Sequence, residues 1–257
     1  MIGEQRRLKI LDNLKKKDVY SIDDLNRELK VSRVTIQRDI KLLEKNGLVV
    51  KVHNGVKLKI ENKMHFETRF NVRLNQNYEE KLEIAKKALC FVSEGDTIYL
   101  DASTTIYIFA KELLNKTFFD LNVITNSSAI LCEGLKNLNI KIISTGGELN
   151  KDWHMLTGRW AIDFLEKVNI DKAFISAAGI SYDKSITTSS SELENILSIV
   201  CKKTKEINLL VDSTKFTKSG MINICNVKDF KRIITNSNTD SQVILDFKKI
   251  KGPEIIF

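Results

Sequence analysis

The chain has 257 residues, of which 42% are hydrophobic and 29% charged, and its net charge is +8. This balance is typical of a folded globular protein and excludes a disordered or collagen-like chain. The apolar runs are too short to cross a bilayer, and the N-terminus lacks the apolar stretch of a secretory signal, so we expect a cytoplasmic protein.

The excess positive charge lies at the N-terminal end. Residues 1–60 contain 15 Lys and Arg against 8 Asp and Glu, a balance of +7, whereas the remaining residues carry a balance of only +1. A basic segment of this kind is an electrostatic signature of a polyanion partner such as nucleic acid. Lysine-rich surfaces are also often only solvated, so charge alone leaves both interpretations open.

Three short helices are predicted within this basic segment. Apolar residues recur at helical spacing across residues 6–16, and Ser21 begins a second helix as its N-cap, with Asp24 three residues later. Ser32 suits the N-cap of a third helix that runs to about Lys45. In that helix Ile36, Ile40 and Leu43 fall on the inner side, and the opposite side carries Val34, Gln37, Arg38, Lys41 and Lys45.

Two short helices joined by a tight turn, the second with a basic outer face, indicate a helix-turn-helix. In a DNA major groove Arg33 or Arg38 can pair with guanine, Gln37 with adenine, and Val34 can pack on a thymine methyl. Hydroxyls near a helix N-terminus suit contacts with phosphate. We therefore expect DNA contacts from Ser32, Arg33, Val34, Thr35, Gln37, Arg38 and Lys41.

A β-hairpin is predicted from Val49 to Ile60, with its turn at Asn54-Gly55. A two-residue loop mixes apolar and basic side chains on each face. A three-residue loop of His53, Asn54 and a left-handed Gly55 pairs Val52 with Val56 and Val50 with Leu58. We expect this register because it places the apolar side chains on one face of the hairpin and the basic side chains on the other. It places Lys51, Lys57 and Lys59 together. We expect this wing to lie along a phosphate backbone and to contribute Lys51, His53 and Lys57.

The run from Val31 to Ile40 (VSRVTIQRDI), followed by Leu43-Glu44, Gly47-Leu48 and His53-Asn54-Gly55, resembles the N-terminal signature of the DeoR family of transcriptional regulators. The resemblance implies a winged helix-turn-helix that binds double-stranded operator DNA. Two positions depart from the family pattern, since Gln37 replaces the first arginine of a pair and Asn54 replaces a glycine of the wing. The alternative is a winged helix used for protein contacts.

Residues 61–77 are predicted to be a connecting segment, which Phe66 and Phe70 can pack onto a second domain. Residues 78–257 alternate between helical patterns and short β-branched runs, which predicts an α/β domain with a mainly parallel sheet covered on both faces. The predicted helices are 79–92, one from 104 onward, 128–136, 160–168 and 192–203. The predicted strands are 97–101, 122–125, 141–144, 172–177, 207–211 and 232–235.

Hydroxyls, amides and glycines follow nearly every predicted strand. Ligands of such sheets bind outside the carboxyl ends of the strands. Residues 101–105 (DASTT) place hydroxyls and N–H groups at a helix N-terminus, which suits an anion, and Lys215 adds a positive charge. Ser, Thr and Asn also cap helices for structural reasons alone. The candidate ligand residues are Asp101, Ser103, Thr104, Thr105, Thr125, Asn126, Gly146, Gly147, Gly179, Asp212 and Lys215.

The same loops resemble the C-terminal sensor domain of the DeoR family, which is similar in fold to ribose-5-phosphate isomerase and CoA-transferase-like proteins. The matching pieces are 101–105, 125–127, 146–147, Gly158, 178–180, Glu192 and 212–215. The resemblance implies a phosphosugar effector, a role for Glu192 at its site, and a homodimer or homotetramer. Ser103 stands where the family usually has glycine, so its side chain either restricts the approach of a phosphate or adds a hydroxyl.

We expect a transcriptional regulator, in particular a repressor of a sugar-metabolism operon, rather than an enzyme. One alternative is a phosphosugar isomerase that uses Asp101, Asp212 and Lys215, but residues 178–180 lack the acidic pair of the related isomerases. Another is a ligand-independent DNA-binding or assembly protein. We expect no cofactor, metal or catalytic residue. The scattered cysteines are expected to be reduced and mostly buried, namely Cys90, Cys132, Cys201 and Cys225.

Overall fold

A computed structural model describes residues 3–16, 19–45, 48–53, 55–58, 69–137 and 139–257. The chain divides between Thr68 and Arg69 into two compact units. Asn54, Lys59 and residues 61–68, which include the first part of the predicted connecting segment, lie outside the described residues. None of the described helices combines the length and the apolarity needed to cross a bilayer.

The first unit consists of three helices and a β-hairpin. The Oγ atom of Ser21 accepts a hydrogen bond from the Asp24 N–H at 3.0 Å, and that of Ser32 accepts one from the Thr35 N–H at 3.3 Å, so both predicted N-caps are confirmed. The three predicted inner residues of the third helix are buried. The elements are α1 (Gly3–Lys16), α2 (Ile22–Leu29), α3 (Arg33–Lys45), β1 (Val49–Val52) and β2 (Gly55–Leu58).

A buried carboxylate joins α1 to α3. Asp39 lies on the inner side of α3 with only 4% of its surface exposed. Its two carboxylate oxygens accept hydrogen bonds from the guanidinium groups of Arg6 and Arg7. These two arginines are therefore partly neutralised within the fold and add less to the basic surface than the sequence suggests.

The expected register of the hairpin is wrong. Val49 pairs with Leu58, Val50 with Lys57, Lys51 with Val56, and Val52 with Gly55, so the loop has two residues. As a consequence Lys51 and Lys57 lie on opposite faces of the hairpin, because Lys51 shares a face with its partner Val56 and the next residue along a strand points to the other face.

A third backbone pairing explains this register. The N–H of Val56 donates to the Tyr20 carbonyl at 2.9 Å, and the N–H of Tyr20 donates back at 3.0 Å. Val49 and Val56 thereby lie on one face in the core, where both are buried. A Cβ atom on Gly55 would lie 2.1 Å from the Tyr20 carbonyl oxygen. The close approach of this neighbouring backbone and the positive φ of 156° therefore both require glycine at position 55.

The second unit is built on a seven-stranded parallel sheet, which confirms the expected α/β class. The sheet order is β14-β13-β11-β8-β3-β4-β5. The strands of this sheet are β3 (Thr97–Leu100), β4 (Asn122–Thr125), β5 (Lys141–Ser144), β8 (Ile170–Ile175), β11 (Thr204–Leu210), β13 (Arg232–Ile234) and β14 (Glu254–Ile256).

Helices cover both faces of this sheet, as a parallel sheet requires. One face packs on the helices of residues 78–88, 104–114 and 128–134, and the other on the helices of residues 159–165, 191–203 and 241–248. Neighbouring residues of one strand alternate between the two cores, as with Tyr99 on one side and Leu100 on the other. The helices are α4 (Arg69–Asn75), α5 (Tyr78–Ala88), α6 (Thr104–Leu114), α7 (Ser128–Gly134), α8 (Arg159–Leu165), α9 (Ser191–Lys203) and α10 (Ser241–Lys248).

Several elements were not expected from the sequence. Residues 69–75 form the helix α4, not part of a connecting segment, and Phe70 of this helix is buried. The C-terminal residues add α10 and the edge strand β14. Five short strands form two small antiparallel sheets, namely β6 (Glu148–Asn150) with β7 (Met155–Thr157), and β9 (Gly179–Ile180) and β12 (Ile222–Asn226) on either side of β10 (Ser185–Thr188).

The expectation that the cysteines are mostly buried is wrong. Cys90 and Cys132 are exposed, and Cys201 and Cys225 are half-buried. Cys90 lies in the short 3₁₀ turn that follows α5, and Cys132 lies on α7. Since neither position belongs to the apolar face of its element, a small residue there does not have to enter the core.

We expect Asp39→Asn to lower the free energy of opening of the first unit by about 2–4 kcal/mol, because it leaves two partly buried arginines without their carboxylate. The matched control is Asp23→Asn, which removes an exposed ion pair with Arg33 and should cost less than about 1 kcal/mol. Hydrogen exchange of the α1 and α3 amides in the full chain measures both values. Equal losses in the two variants would contradict a structural role for Asp39.

Candidate functional site

The first unit exposes the predicted DNA-contact face of α3. Val34 is 58% exposed, and Gln37, Arg38 and Lys41 are exposed beside it. These side chains offer an apolar contact, an amide and two cations on one helix surface, which is the chemistry needed to contact base edges and phosphates in the major groove.

The N-terminal end of α3 has its own local contacts. The hydroxyls of Ser32 and Thr35 lie 2.8 Å apart, and Arg33 Nη1 lies 3.3 Å from an Asp23 carboxylate oxygen. The Arg33 pair is largely exposed, so water and salt screen it and DNA phosphate can compete for the guanidinium. Ser32 and Thr35 remain close to the helix N-terminus, where phosphate contacts are favoured.

The three predicted wing residues are not equivalent. His53 is exposed at the loop, Lys51 is exposed and lies 3.0 Å from Glu44, and Lys57 is half-buried on the opposite face. The two lysines therefore face different sides of the hairpin.

In the second unit, a cleft opens where the strand order of the sheet reverses. The chain runs from β3 outward to β4 and β5, and then returns to β8 on the other side of β3. The loops after β3 and β8 consequently diverge and leave a crevice, which is where open α/β sheets bind ligands. A cleft of about 230 Å³ lies there, lined by Arg73, Asp101, Ala102, Ser103, Trp153, Met155, Ser176, Ala177, Ala178, Thr188, Ser189, Leu193 and Lys215.

A fully buried carboxylate joins the two diverging loops. The Oδ1 atom of Asp101 accepts the Ser103 N–H at 2.7 Å, and its Oδ2 atom accepts the Ser176 N–H at 2.8 Å. Burial raises the pKa of Asp101 to about 6, although hydrogen bonds from Ser103 and the Ser176 backbone act in the opposite direction. Asp101 thus fixes the loop after β3 against the loop after β8 at the bottom of the cleft.

A smaller cavity of about 40 Å³ adjoins this cleft at the N-terminus of α6. Ser103 caps this helix by accepting the Ile106 N–H at 3.3 Å, and the first turn contains no acidic residue. Thr104 and Thr105 follow and line the cavity. A helix N-terminus carries a partial positive charge, so this position favours an anion.

Three basic residues surround the smaller cavity, namely Arg73, Lys81 and Lys215. Burial lowers the pKa of Lys81 to about 8; nearby Asp212 opposes this effect, and Lys215 and Arg73 reinforce it. Burial also lowers the pKa of Lys215, with Asp212 again acting in the opposite direction. An anion in this cavity would favour the charged forms of both lysines.

The smaller cavity also contains an acceptor. The Oδ1 atom of Asp212 accepts hydrogen bonds from Asn77 Nδ2 at 3.2 Å and from the Thr214 N–H at 3.1 Å. Its Oδ2 atom is buried and has no hydrogen-bond partner among the described residues. A buried carboxylate oxygen is costly to leave unpaired, so the cavity suits a ligand that presents a hydroxyl beside its anionic group.

Half of the predicted effector residues line these two cavities. They are Asp101, Ser103, Thr104, Thr105, Asp212 and Lys215. The structure places the other six elsewhere, and for them an effector contact stays a prediction. These six are Thr125, Asn126, Gly146, Gly147, Gly179 and Glu192.

The six outlying residues have local structural contacts instead. Thr125 donates to the Leu100 carbonyl at 2.8 Å, and Asn126 accepts the Tyr99 hydroxyl at 2.8 Å. Glu192 accepts a hydrogen bond from Asn150 at 3.0 Å. Gly146 and Gly147 form the left-handed corner before β6, and a Cβ atom on Gly179 would lie 2.0 Å from the Lys218 carbonyl oxygen.

The sequence analysis missed several residues that line the two cavities, among them Arg73, Lys81, Trp153 and Ser176. For Arg73 the signal is the spacing of Phe70 and Leu74, which indicates a helix in a segment read as a connection. For Lys81 it is a lysine on the same helical face as the apolar residues Ile84, Ala85 and Ala88.

We expect Asp101→Asn to change how stability depends on pH. Because the pKa of Asp101 rises from an ordinary 3.8 to about 6 in the fold, its contribution to the free energy of unfolding is full below pH 4 and is lost as pH rises through 6. The loss amounts to about 3 kcal/mol in wild type and should be absent in the variant. Urea unfolding from pH 4 to 7 measures it, with Asp246→Asn, at a half-buried surface position, as the control. Parallel curves for wild type and Asp101→Asn would contradict this assignment.

Comparison with protein families matches both units. The DeoR-like helix-turn-helix domain matches residues 6–61, and the DeoR C terminal sensor domain matches residues 76–237. In the solved structures, the chain is similar to ribose 5-phosphate isomerase A from Methanocaldococcus jannaschii, with a TM-score of 0.42 and 20% identity over 55% of each chain.

Full-length relatives carry regulatory names. The chain is 33% identical to the HTH-type transcriptional regulator GolR of Listeria innocua, covering 96% of both chains. It is 32% identical to the lactose phosphotransferase system repressor of Lactococcus lactis over 96% of this chain and 97% of the relative. It is 30% identical to the L-fucose operon activator of Escherichia coli over 90% of this chain and 94% of the relative. The two domain matches and these relatives show that the chain belongs to the DeoR family of transcriptional regulators.

Proposed function

We propose that this protein is a repressor of a sugar-metabolism operon and that a phosphorylated sugar in the cleft of the second unit controls its DNA affinity. The observation that carries the proposal is the convergence of Arg73 and Lys215 on the N-terminus of α6 at the switch point of the sheet. The printed names of two relatives, one a lactose phosphotransferase system repressor and one an L-fucose operon activator, support a sugar-linked operon.

The two cavities suit the two parts of such a ligand. The smaller one, with Thr104, Thr105 and the three cations, would hold the phosphoryl group. The larger one combines the apolar surfaces of Trp153, Met155 and Leu193 with the hydroxyls of Thr188 and Ser189. Mixed apolar and hydroxyl groups match a sugar ring, which has apolar faces and a polar rim.

The proposed partners are operator DNA, the phosphorylated sugar and further copies of this chain. Residues 1–60 would bind double-stranded operator DNA, and residues 78–257 together with α4 would bind the effector. A homodimer or homotetramer would place two α3 helices on repeated half-sites, as helix-turn-helix proteins require. The protein would act in the cytoplasm, where operator DNA is accessible, and it would need no cofactor.

We propose regulation rather than isomerisation. The carboxylate of Asp101 is already held by two backbone N–H groups. Asp212 offers one unpaired carboxylate oxygen, but residues 178–180 lack the acidic pair of the related isomerases. Turnover of a pentose or hexose phosphate by the purified protein would contradict this part of the proposal.

We expect one member of a phosphosugar panel to raise the melting temperature while its unphosphorylated form does not. A ligand at about a hundred times its Kd stabilises the protein by roughly 2.7 kcal/mol. Lys215→Ala should abolish this shift because it removes a cation from the phosphoryl position, whereas Lys218→Ala, at an exposed neighbour, should keep it. Thermal unfolding measures both. A full shift in Lys215→Ala would place the phosphosugar elsewhere.

We expect Arg38→Ala to reduce discrimination between operator and unrelated DNA by about 1–3 kcal/mol, because it removes a base contact. Lys57→Ala should weaken binding to both DNAs alike and lower the salt slope by about one. Binding titrations at several salt concentrations measure these effects, with Arg27→Ala on α2 as an exposed-arginine control. Unchanged discrimination in Arg38→Ala would mean that another surface reads the operator.

A further inference from the structure

We infer that the short helix α4 is the element through which an occupied cleft alters DNA affinity. This inference rests on the proposed function, because it names how that same site is read out. It concerns one helix of seven residues that both lines the cleft and directly follows the connection from the first unit.

The helix α4 lies in the chain directly after the connection between the two units. It is the first described element of the second unit, and residues 59–68 join it to β2 of the first unit. Any change in the position of α4 therefore moves the point from which the chain leaves the second unit. No other described element of the second unit lies on this connection.

The helix α4 is also fixed to one wall of the cleft. The N–H of Phe70 donates to the Asp152 carbonyl at 3.1 Å, and the Phe70 ring stacks on His154 with centroids 4.7 Å apart and planes within 5°. The guanidinium of Arg73 lies 4.3 Å from the centre of the Trp153 ring. Since Arg73 and Trp153 both line the cleft, α4 and residues 151–154 form a single wall.

The other end of α4 is fixed to the smaller cavity. Lys81 is 4% exposed, and its ammonium donates to the carbonyl oxygens of Arg73 and, at 2.6 Å, Gln76. Asn77, which follows at a left-handed turn, donates to Asp212 at 3.2 Å. Groups that line the smaller cavity thus hold the C-terminal end of α4 in place.

The docked and the displaced positions of α4 differ in how strongly they attract an anion in the cleft. Arg73, Lys81 and Lys215 line the same small cavity, so their like charges oppose one another. An anion among them attracts Arg73 strongly only while Arg73 stays in the cleft. It therefore binds the docked position of α4 more tightly than a displaced one, and such differential affinity is what a ligand needs to shift an equilibrium.

The length of α4 makes this shift feasible. A seven-residue helix is not stable by itself in water, so its order depends on the contacts described above. Ligand binding in the cleft therefore stabilises the ordered form of α4 directly, and this effect requires no change in the parallel sheet.

Hydrogen exchange on the full wild-type chain tests this inference, with inorganic phosphate as the probe and sodium chloride of equal ionic strength as the control. At ten times its Kd, phosphate should slow exchange of residues 69–75 by about tenfold, together with residues 103–107 at the anion position. Protection of 103–107 without protection of 69–75 would overturn the role of α4 and leave the proposed function intact. Absence of protection at both, with no thermal shift from any phosphosugar, would overturn the proposed function itself.

A matched pair of variants tests the coupling. Phe70→Leu weakens the attachment of α4, whereas Phe230→Leu makes the same change at an equally buried position outside α4 and the cleft. The measured quantity is the factor by which the phosphosugar identified by thermal shift changes the Kd for selected operator DNA. It should fall toward one in Phe70→Leu and stay at the wild-type value in Phe230→Leu. A wild-type factor in Phe70→Leu would overturn the inference.

Discussion

The site in the second unit depends on one carboxylate. Parallel strands on either side of a switch point send their loops in opposite directions, so the crevice between them has no inherent connection across it. Asp101 supplies that connection by accepting the N–H of Ser103 from one loop and that of Ser176 from the other. The same hydrogen bonds orient the first turn of α6. The anion position is therefore a consequence of how the sheet is held together, and the buried charge at its base is a structural requirement as well as part of the cleft.

The cleft combines groups that are unfavourable without a ligand. Cations gather at the N-terminal end of α6, and a buried carboxylate oxygen of Asp212 has no partner in the part of the chain that the structure describes. Unfavourable groups of this kind reduce the local stability of the fold. They stay in place where the stabilising interactions of the surrounding structure outweigh this loss. Here the parallel sheet and its two cores hold these groups in place.

Features of the fold and the cleft that depend on local sequence can be predicted, whereas those that depend on contacts between distant residues cannot. Strands and their polar ends are encoded by local sequence, so the sequence alone predicts that Asp101 and Lys215 lie at one edge of the sheet. Ser176 was missed because β8 ends two residues earlier than its apolar run suggests. Arg73 was missed because its place depends on where α4 packs, which no local pattern encodes. The predicted hairpin register was wrong for the same reason, because the observed register depends on the pairing of Val56 with Tyr20, which is distant in sequence.

The outer face of α3 has a consequence for how regulators of this kind diversify. Its inner residues Ile36, Asp39 and Ile40 hold the first unit together, whereas Val34, Gln37 and Arg38 are exposed and make no contribution to that core. Substitutions on the outer face are therefore nearly neutral for folding, because exposed positions away from caps and buried pairs tolerate change. The chemistry of this exposed face can therefore change one residue at a time, while the second unit remains as it is. Gln37 lies on this face.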